Sequence, residues 1–480
     1  MLFNSIEFLI FLPIVFILYW CLSGNLRAQN LFIVSASYIF YGWWDWRFLF
    51  LIFFITTVSF TSGILLETYD GRRPIRRAIV TLTVIICLGV LCTFKYFDFF
   101  SINFAKLLGL FGIELDAFTL GLVLPVGISF YTLQALSYTI DVYRKRIPAT
   151  RDVISFYAFI SFFPQLVAGP IERASNLLPQ FLNRRRFSYS KGVEGLQQIL
   201  WGLFKKMVVA DNCAKAVNVI YGNYEAFDGG MLIWGAILFS FQIYGDFSGY
   251  SDIAIGAARL FGINLSRNFH YPYLSRNVAE FWRRWHVSLN RWFVDYVYIP
   301  LGGSRGTMRL TIFNTLMIFL LSGFWHGADW SYICWGLFNA IFFIPLILLG
   351  TTKKYRKTVV AQGRYLPRFI EVIQLLTTFC IVTFGRIFFR AENMSHALGY
   401  LTRIFTHFKL TIPWDYLLSL KAIAILFIVE WCQRHREFGL QLSHDGLLRY
   451  RAVRWAVYYA VFLLIIFWSD TPEEFIYFQF

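Results

Sequence analysis

The sequence predicts an all-α protein that crosses a membrane many times. Its 480 residues are 58% hydrophobic and 20% aromatic, and only 15% are charged. Ordinary soluble domains carry roughly 25% charged residues. Runs without Asp, Glu, Lys or Arg recur along the whole chain, and a helix needs about 20 mostly apolar residues to cross a bilayer. Counting these runs predicts about twelve spanning helices, together with re-entrant and interfacial helices.

The uncharged runs give the positions of the predicted spans. The clearest are residues 8 to 26, 28 to 44, 48 to 66, 78 to 94, 117 to 140, 229 to 245, 310 to 328, 330 to 352, 372 to 385 and 455 to 469. Two further candidates, near 193 to 221 and 414 to 432, are interrupted by lysines. The run 153 to 171 contains two prolines and a glycine. It is predicted to be a re-entrant or buried broken segment, whose freed backbone groups need internal partners.

The distribution of charge predicts one membrane domain and no nucleic-acid partner. No internal repeat or appended soluble domain is visible, so residues 1 to 480 are predicted to form a single transmembrane domain. The net charge of +16 is expected from basic loops on the cytoplasmic side of a membrane protein, and it does not indicate nucleic-acid binding. The seven cysteines are scattered singly and predict neither a disulfide framework nor a metal site.

The stretch from Arg276 to Trp330 contains two histidines in unusual surroundings. Asn277 followed by Glu280 resembles a capping box, which predicts the start of a helix. Apolar residues then recur at helical spacing and form one aromatic face, namely Val278, Trp282, Trp285, Leu289 and Trp292. The segment is therefore predicted to be an amphipathic helix at the membrane interface, with its arginines toward headgroups or water. His286 flanks the aromatic face.

His326 lies near the end of the uncharged run 310 to 328. It could be a buried group that is hydrogen-bonded between helices. The alternative is a catalytic base, because burial keeps an imidazole neutral and ionisable groups at membrane depth are candidates for function. Glycines on both sides are expected to leave the ring accessible, and Trp325 and Trp330 are expected to form the walls of a pocket. His286 likewise is either a polar group reaching the interface or a second site residue.

Other polar groups beside the uncharged runs are weaker candidates. Asp246 and Asp252 lie in the block YGDFSGYSDIAIG, where they could orient a histidine or form ion pairs with nearby arginines. A purely structural ion pair is an equally good interpretation. The remaining histidines lie in loops or near the ends of spans and are predicted to be solvated: His270, His396, His407, His435 and His444.

Five blocks of the chain together resemble the membrane-bound O-acyltransferase family. They are FPQLVAGPIE, YGDFSGYSDIAIG, FWRRWHVSLNRWFVDYVYIPLGG, SGFWHGADW and the closing FIYFQF. The resemblance covers nearly the whole chain and is strongest to the bacterial alginate O-acetyltransferase branch. It implies that His326 is the catalytic histidine and that His286 is the second site position. It also implies a ring of helices with a central funnel, in which a cytoplasmic tunnel for the acyl donor meets an opening to the outside.

The same resemblance implies a reaction. The expected activity moves an acetyl group from cytoplasmic acetyl-CoA to hydroxyls of an exported, alginate-like polysaccharide or a lipid-linked sugar, directly or through an extracytoplasmic partner acetyltransferase. Acetyl-CoA is a substrate here, and no bound cofactor is expected. Arg283, Arg284 and Arg305 are predicted to lie near its anionic nucleotide. The expected location is the bacterial inner membrane.

Two alternatives remain open at the level of the sequence. A related branch of the same family transfers D-alanine from a carrier-protein thioester to teichoic acid. A transporter would also use broken helices and ionisable groups within the membrane.

Overall fold

The chain is built from α-helices. The computed structural model describes residues 1 to 442, 446 to 469 and 473 to 476, and no β-strand occurs among them. Within this described part, seven helices are long and apolar enough to cross a membrane: Trp46–Thr68, Arg73–Lys95, Gly229–Leu260, Met308–His326, Trp330–Leu348, Phe369–Arg390 and Arg451–Trp468. The prediction of an all-α, multi-pass membrane protein is confirmed at this level.

The chain divides into two compact units. The first comprises residues 1–192 and 257–266. Its helices are α1 (Ile6–Cys21), α2 (Leu26–Gly42), α3 (Leu49–Thr68), α4 (Arg73–Lys95), α5 (Phe97–Gly109), α6 (Ile128–Tyr143), α7 (Val153–Ser161), α8 (Phe163–Leu166) and α9 (Ala174–Leu182). The single transmembrane domain over residues 1 to 480 stays a prediction.

The second unit comprises residues 193–256 and 267–480. Its helices, two of which extend a few residues beyond these limits, are α10 (Tyr189–Leu203), α11 (Asp211–Gly222), α12 (Gly229–Leu260), α13 (Val278–Trp282), α14 (Val287–Phe293), α15 (Met308–His326), α16 (Trp330–Leu348), α17 (Phe369–Arg390), α18 (Met394–Thr406), α19 (Leu417–Cys432) and α20 (Arg451–Trp468). Two π-helical segments, Phe204–Ala210 and Val294–Tyr298, follow α10 and α14 directly.

Side-chain caps determine where helices α15 and α16 begin. The Thr307 hydroxyl accepts a hydrogen bond from the Leu310 amide (3.3 Å), and the Asp329 carboxylate accepts one from the Ser331 amide (2.8 Å). Each cap satisfies a backbone donor that the first helical turn leaves without an intrahelical partner. Helices α15 and α16 therefore begin directly after these two capping residues.

The predicted span over residues 117 to 140 is wrong in its first part. Helix α6 begins only at Ile128, after Gly127 with a φ of 76°. The preceding backbone is not helical, and the Asp98 carboxylate accepts hydrogen bonds from the amides of Leu120 (2.7 Å) and Gly121 (3.1 Å). A proline at position 125 and the left-handed glycine stop a helix from continuing through this stretch. An uncharged composition alone therefore overstated the helix.

The broken segment predicted over residues 153 to 171 is present. Helix α7 ends at Ser161, and the four-residue helix α8 follows it. The Gln134 amide donates to the Phe159 carbonyl oxygen (2.8 Å), and the amide of Gln165 donates to Gln134 (2.7 Å). These side chains supply the internal partners that a broken helix requires.

The lysines that interrupt the run 193 to 221 form buried ion pairs. Lys205 Nζ lies 2.6 Å from Asp252, and Lys206 Nζ lies 2.9 Å from Asp246. The two carboxylates therefore pair with lysines of the π-helical segment Phe204–Ala210. This outcome supports the structural interpretation of the YGDFSGYSDIAIG block over pairing with arginines.

Candidate active site

The predicted amphipathic helix after Asn277 is two short helices with a turn between them. Asn277 does cap the first, because its side chain accepts a hydrogen bond from the Glu280 amide (2.8 Å). Helix α13 then ends at Trp282, and α14 begins only at Val287. His286 stands between them with φ 44° and ψ 52°. A left-handed non-glycine residue costs about 1 to 3 kcal/mol, so its surroundings must hold this conformation.

Two asparagines stabilise the turn. The Asn290 amide donates to the carbonyl oxygens of Trp282 and Trp285, at 2.7 Å each. It thereby satisfies acceptors that the end of α13 leaves without helical partners. The Val287 amide donates to the Asn268 carbonyl oxygen (2.9 Å). These hydrogen bonds, which are not part of the regular helical pattern, therefore stabilise the break between α13 and α14.

The His286 ring has a fixed orientation and tautomer. Its Nδ1 lies 3.2 Å from Asn268 Oδ1, which also accepts from the Ser288 hydroxyl (2.9 Å). The other amide atom, Asn268 Nδ2, donates to the Ser251 hydroxyl (3.2 Å). Because Oδ1 is the acceptor, Nδ1 carries the proton and Nε2 carries the lone pair. Burial lowers the pKa of His286 to about 3, so an exposed interfacial group is the wrong interpretation.

His326 is the last residue of α15, and aromatic rings enclose it. Its ring centroid lies 4.9 Å from that of Trp325, and 5.1 Å from those of Trp335 and Phe389. The His326 side chain is only 4% exposed. The ring of His286 is its neighbour at 6.5 Å between centroids. The two histidines that the sequence singled out are thus brought together.

The glycines beside His326 serve helix packing. A Cβ on Gly323 would lie 2.3 Å from the Tyr332 carbonyl oxygen, and a Cβ on Gly327 would lie 2.1 Å from the Tyr332 ring. Glycine therefore permits the close approach of α15 and α16. The expectation that these glycines leave the histidine accessible is wrong. Trp330 does not form a wall either, since it is 53% exposed.

A small cavity lies against the His326 ring. Its volume is about 10 Å³, room for about one water-sized group. The residues lining this His326 cavity come from five helices and the turn after α13: Ile243, Phe281, Trp282, Trp285, His326, Trp335, Asn339, Val382, Arg386 and Phe389. Arg386 is a site residue that the sequence reasoning missed. In the sequence, Arg386 is visible only as a cation directly after the uncharged run 372 to 385, a position that is typical of the end of a span.

A larger cavity carries strong positive charge. This basic cavity has a volume of about 640 Å³ and is lined by two carboxylates, Glu280 and Asp295. Six cationic side chains also line it: Arg283, Arg284, Arg291, Lys353, Arg356 and Lys357. Such an excess of cations around a concave site suits a ligand with several negative charges.

A second large cavity adjoins the first. This apolar cleft has a volume of about 600 Å³ and includes Met308, Ile318, Phe319 and Phe343 in its lining. It shares several lining residues with the basic cavity, and Trp282 lines both of them and the His326 cavity as well. The Trp282 indole therefore separates the two large cavities from the enclosed histidine.

The three predicted nucleotide-binding arginines have different positions. Arg283 lines the basic cavity and donates to the carbonyl oxygens of Thr352 (2.6 Å) and Lys354 (2.8 Å). Arg284 also lines it, but this side chain is buried and pairs with Glu280 at 2.7 Å. The prediction that this side chain points toward headgroups or water is therefore wrong. Arg305 is exposed, and it lines neither the basic cavity nor the apolar cleft.

The other histidines divide into two groups. His407 and His435 are exposed, as predicted. His270 and His396 are half-buried, and His270 lines the basic cavity. His444 lies outside the described residues, as do the last four residues of the FIYFQF block.

The model of one protein family matches the part of the chain that contains this site. It is that of MBOAT, the membrane-bound O-acyltransferase family, and it covers residues 144–389. The chain belongs to this family. All residues that line the basic cavity, the apolar cleft and the His326 cavity fall within the match. The chain is thus a multi-pass membrane acyltransferase.

Curated relatives of this acyltransferase include polysaccharide-modifying proteins. It is 38% identical, over 83% of the chain and 73% of the relative, to the "Probable alginate O-acetylase AlgI" of Pseudomonas aeruginosa. It is 35% identical to the peptidoglycan O-acetyltransferase of Helicobacter pylori, over 84% of the chain and 79% of the relative. The teichoic acid D-alanyltransferase of Bacillus subtilis is more distant, at 26% identity over 56% of the chain and 70% of the relative.

Proposed function

We propose that this membrane O-acyltransferase moves an acetyl group from cytoplasmic acetyl-CoA to hydroxyls of an exported, alginate-like polysaccharide. The acceptor receives the group directly, as polymer or lipid-linked sugar, or through an extracytoplasmic partner acetyltransferase. The observation that carries the proposal is the pair of enclosed histidine rings, 6.5 Å apart, next to a basic cavity. The names of the alginate and peptidoglycan relatives support an acetyl donor and a polysaccharide acceptor.

The basic cavity is the proposed site for the nucleotide of acetyl-CoA. Its volume of about 640 Å³ lies within the range of about 300 to 1,000 Å³ that small-molecule sites occupy. Arginine forks bind phosphate oxygens through paired hydrogen bonds. Because Arg284 is engaged by Glu280, Arg283 and the cations of residues 353 to 357 would make the main phosphate contacts. Arg305 would contact the donor only at the rim of the apolar cleft, beside its neighbour Ser304.

His326 is the proposed catalytic base. Its neutral imidazole takes the proton from the acceptor hydroxyl, whose oxygen then adds to the thioester carbonyl carbon. The carbon–sulfur bond breaks, and the leaving thiolate takes the proton from the imidazolium. General base catalysis of this kind contributes about 10² to 10⁴ in rate. The Nε2 lone pair of His286 accepts a hydrogen bond that aligns the hydroxyl.

The proposed membrane architecture extends beyond the seven long helices. Shorter helices such as α1, α2 and α19 would complete about twelve crossings, arranged as a ring around a funnel in the bacterial inner membrane. The donor enters from the cytoplasm and the acceptor from outside. The apolar character of α1, which has no charge after its first turn, supports its assignment as a crossing.

The test uses purified protein in detergent with radiolabelled acetyl-CoA and an alginate oligosaccharide. We expect His326→Ala to lower thioester turnover by about 10² to 10⁴, while it still accumulates in the membrane. The matched control is His407→Ala, an exposed histidine of the same chain. Full turnover in His326→Ala would overturn the assignment of the base.

Two further arms separate the alternatives. A D-alanyl carrier-protein thioester should not be consumed; its consumption in place of acetyl-CoA would favour the teichoic acid reaction. Vesicles with the reconstituted protein should show acyl transfer, whereas uptake of acetyl-CoA or sugar without transfer would favour a transporter.

A further inference from the structure

A buried arginine faces the same small space as His326. Arg386 lies in α17, is 4% exposed and lines the His326 cavity. Because that cavity has room for about one water-sized group, the residues around it approach a single small group from different sides. A cation at this depth is costly to desolvate and is a candidate for function.

Neighbouring groups hold the guanidinium of Arg386 in one orientation. Its Nη1 donates to the Ser240 carbonyl oxygen (3.3 Å) and to the Tyr273 hydroxyl. Its central carbon lies 4.5 Å from the ring centroid of Trp285. These contacts place the charge over an aromatic face that also lines the cavity. The guanidinium is therefore preorganised, and no reorientation is needed when charge develops nearby.

We propose that Arg386 stabilises the oxyanion that forms during acyl transfer. This inference rests on the proposed acetyl transfer. When the acceptor oxygen adds to the thioester carbon, the carbonyl π electrons move onto the oxygen. They return when the carbon–sulfur bond breaks and its electron pair leaves with the sulfur. Arg386 stays protonated throughout and donates a hydrogen bond to that oxygen, opposite the imidazolium of His326.

Kinetics separate this role from a purely structural one. Arg386→Gln should lower kcat by about 10²- to 10³-fold, as loss of an oxyanion donor does, while KM for acetyl-CoA changes little. Arg386→Lys should recover only part of the rate, because an ammonium lacks the planar fork. The matched control is Arg390→Gln, one turn further along α17, whose side chain donates to Asn218 (3.1 Å) and does not line the cavity. Its kcat should equal that of the wild type.

Infrared spectroscopy provides a direct readout. In a His326→Ala background the thioester of carbonyl-¹³C-labelled acetyl-CoA stays intact, and its labelled carbonyl stretch can be recorded in the bound state. We expect a shift to lower wavenumber that disappears in His326→Ala/Arg386→Gln. If the carbonyl stretch of the bound donor is not shifted in the single variant His326→Ala, which retains Arg386, the proposal for Arg386 is overturned.

The outcomes distinguish the two proposals. If acetyl-CoA binds neither to His326→Ala nor to His326→Ala/Arg386→Gln, the proposed donor itself is wrong. If Arg386→Gln does not accumulate, Arg386→Lys carries the test, and a wild-type kcat in that variant would overturn the oxyanion role. Wild-type kinetics in Arg386→Gln would do the same.

Discussion

Enlarging the His326 cavity should change which acyl group the protein transfers. In the proposed reaction the thioester carbonyl lies at this cavity of about 10 Å³, and a space of about one water-sized group leaves little room for an acyl chain longer than acetyl. Val382 lines the cavity from α17 and is 5% exposed. Val382→Ala removes its branched methyl groups and leaves His326 and Arg386 in place. We therefore expect this variant to accept propionyl-CoA.

The expected magnitude follows from the size of the cavity. A propionyl group is one methylene longer than acetyl, and forcing a methylene into a packed site costs about 1 to 3 kcal/mol. The wild type should therefore prefer acetyl-CoA over propionyl-CoA by about 10- to 200-fold in kcat/KM. Val382→Ala should reduce this ratio below about tenfold, because the deleted volume offsets the added methylene.

The assay measures release of the CoA thiol from each thioester in the presence of acceptor. Val461→Ala is the matched control, since Val461 lies in α20, is 7% exposed and does not line the cavity. Its selectivity should be that of the wild type. Equal use of both thioesters by the wild type, or an unchanged ratio in Val382→Ala, would refute the assignment of this cavity to the acyl group.

Three further predictions concern residues around the site. Trp282→Ala removes the wall shared by the three cavities, so acetyl-CoA hydrolysis without acceptor should rise, as measured by thiol release. Glu280→Gln deprives two buried arginines of their carboxylate partner and should cost about 3 to 5 kcal/mol of stability, seen as a lower Tm in detergent. The folded-state pKa of His286, about 3, lies below its ordinary value of 6.5, so only the unfolded state gains the proton between these values and stability falls as pH drops from about 6.5 toward 3. The variant His286→Asn keeps a residue that tolerates the left-handed backbone. It should reduce the change of the free energy of unfolding with pH by up to about 1.4 kcal/mol per pH unit. Part of the pH dependence remains, because burial and neighbouring arginines also lower the pKa of His270 to about 3.

The sequence predicted the helices best where local signals acted alone. The capping role of Asn277 is confirmed, and the uncharged run 310 to 328 corresponds to Met308–His326. The span predicted over residues 117 to 140 is wrong in its first part because Pro125 and Gly127, both present in the sequence, restrict the backbone regardless of how uncharged the run is.

The break at His286 was not predictable from periodicity. The apolar spacing after Asn277 fits one continuous helix, and it fits two short helices equally well. The choice is made by Asn268, which bonds to the turn from an earlier part of the chain, together with the side chain of Asn290 in α14. Such tertiary contacts leave no trace in the hydrophobic pattern.

The cations of the site were predicted only in part. The sequence pointed to Arg283 and Arg284, and both line the basic cavity. The basic residues of 353 to 357 were not among the predicted site residues, yet three of their cationic side chains, Lys353, Arg356 and Lys357, line the same cavity. The sequence gives no indication of Arg386, because an arginine directly after an uncharged run is typical of the end of a span. Only the packing of α17 against α12 and the turn after α13 places it at the cavity.

The positions of the two histidines relative to the neighbouring helices favour different roles for them in the proposed reaction. His326 ends α15, where the negative end of the helix dipole stabilises the positive charge that develops during proton transfer. His286 precedes α14, where the dipole opposes such a charge, and its burial does the same. A residue that gains a proton in each turnover therefore fits the position of His326. A residue that stays neutral and only accepts a hydrogen bond fits the position of His286, whose tautomer Asn268 already fixes.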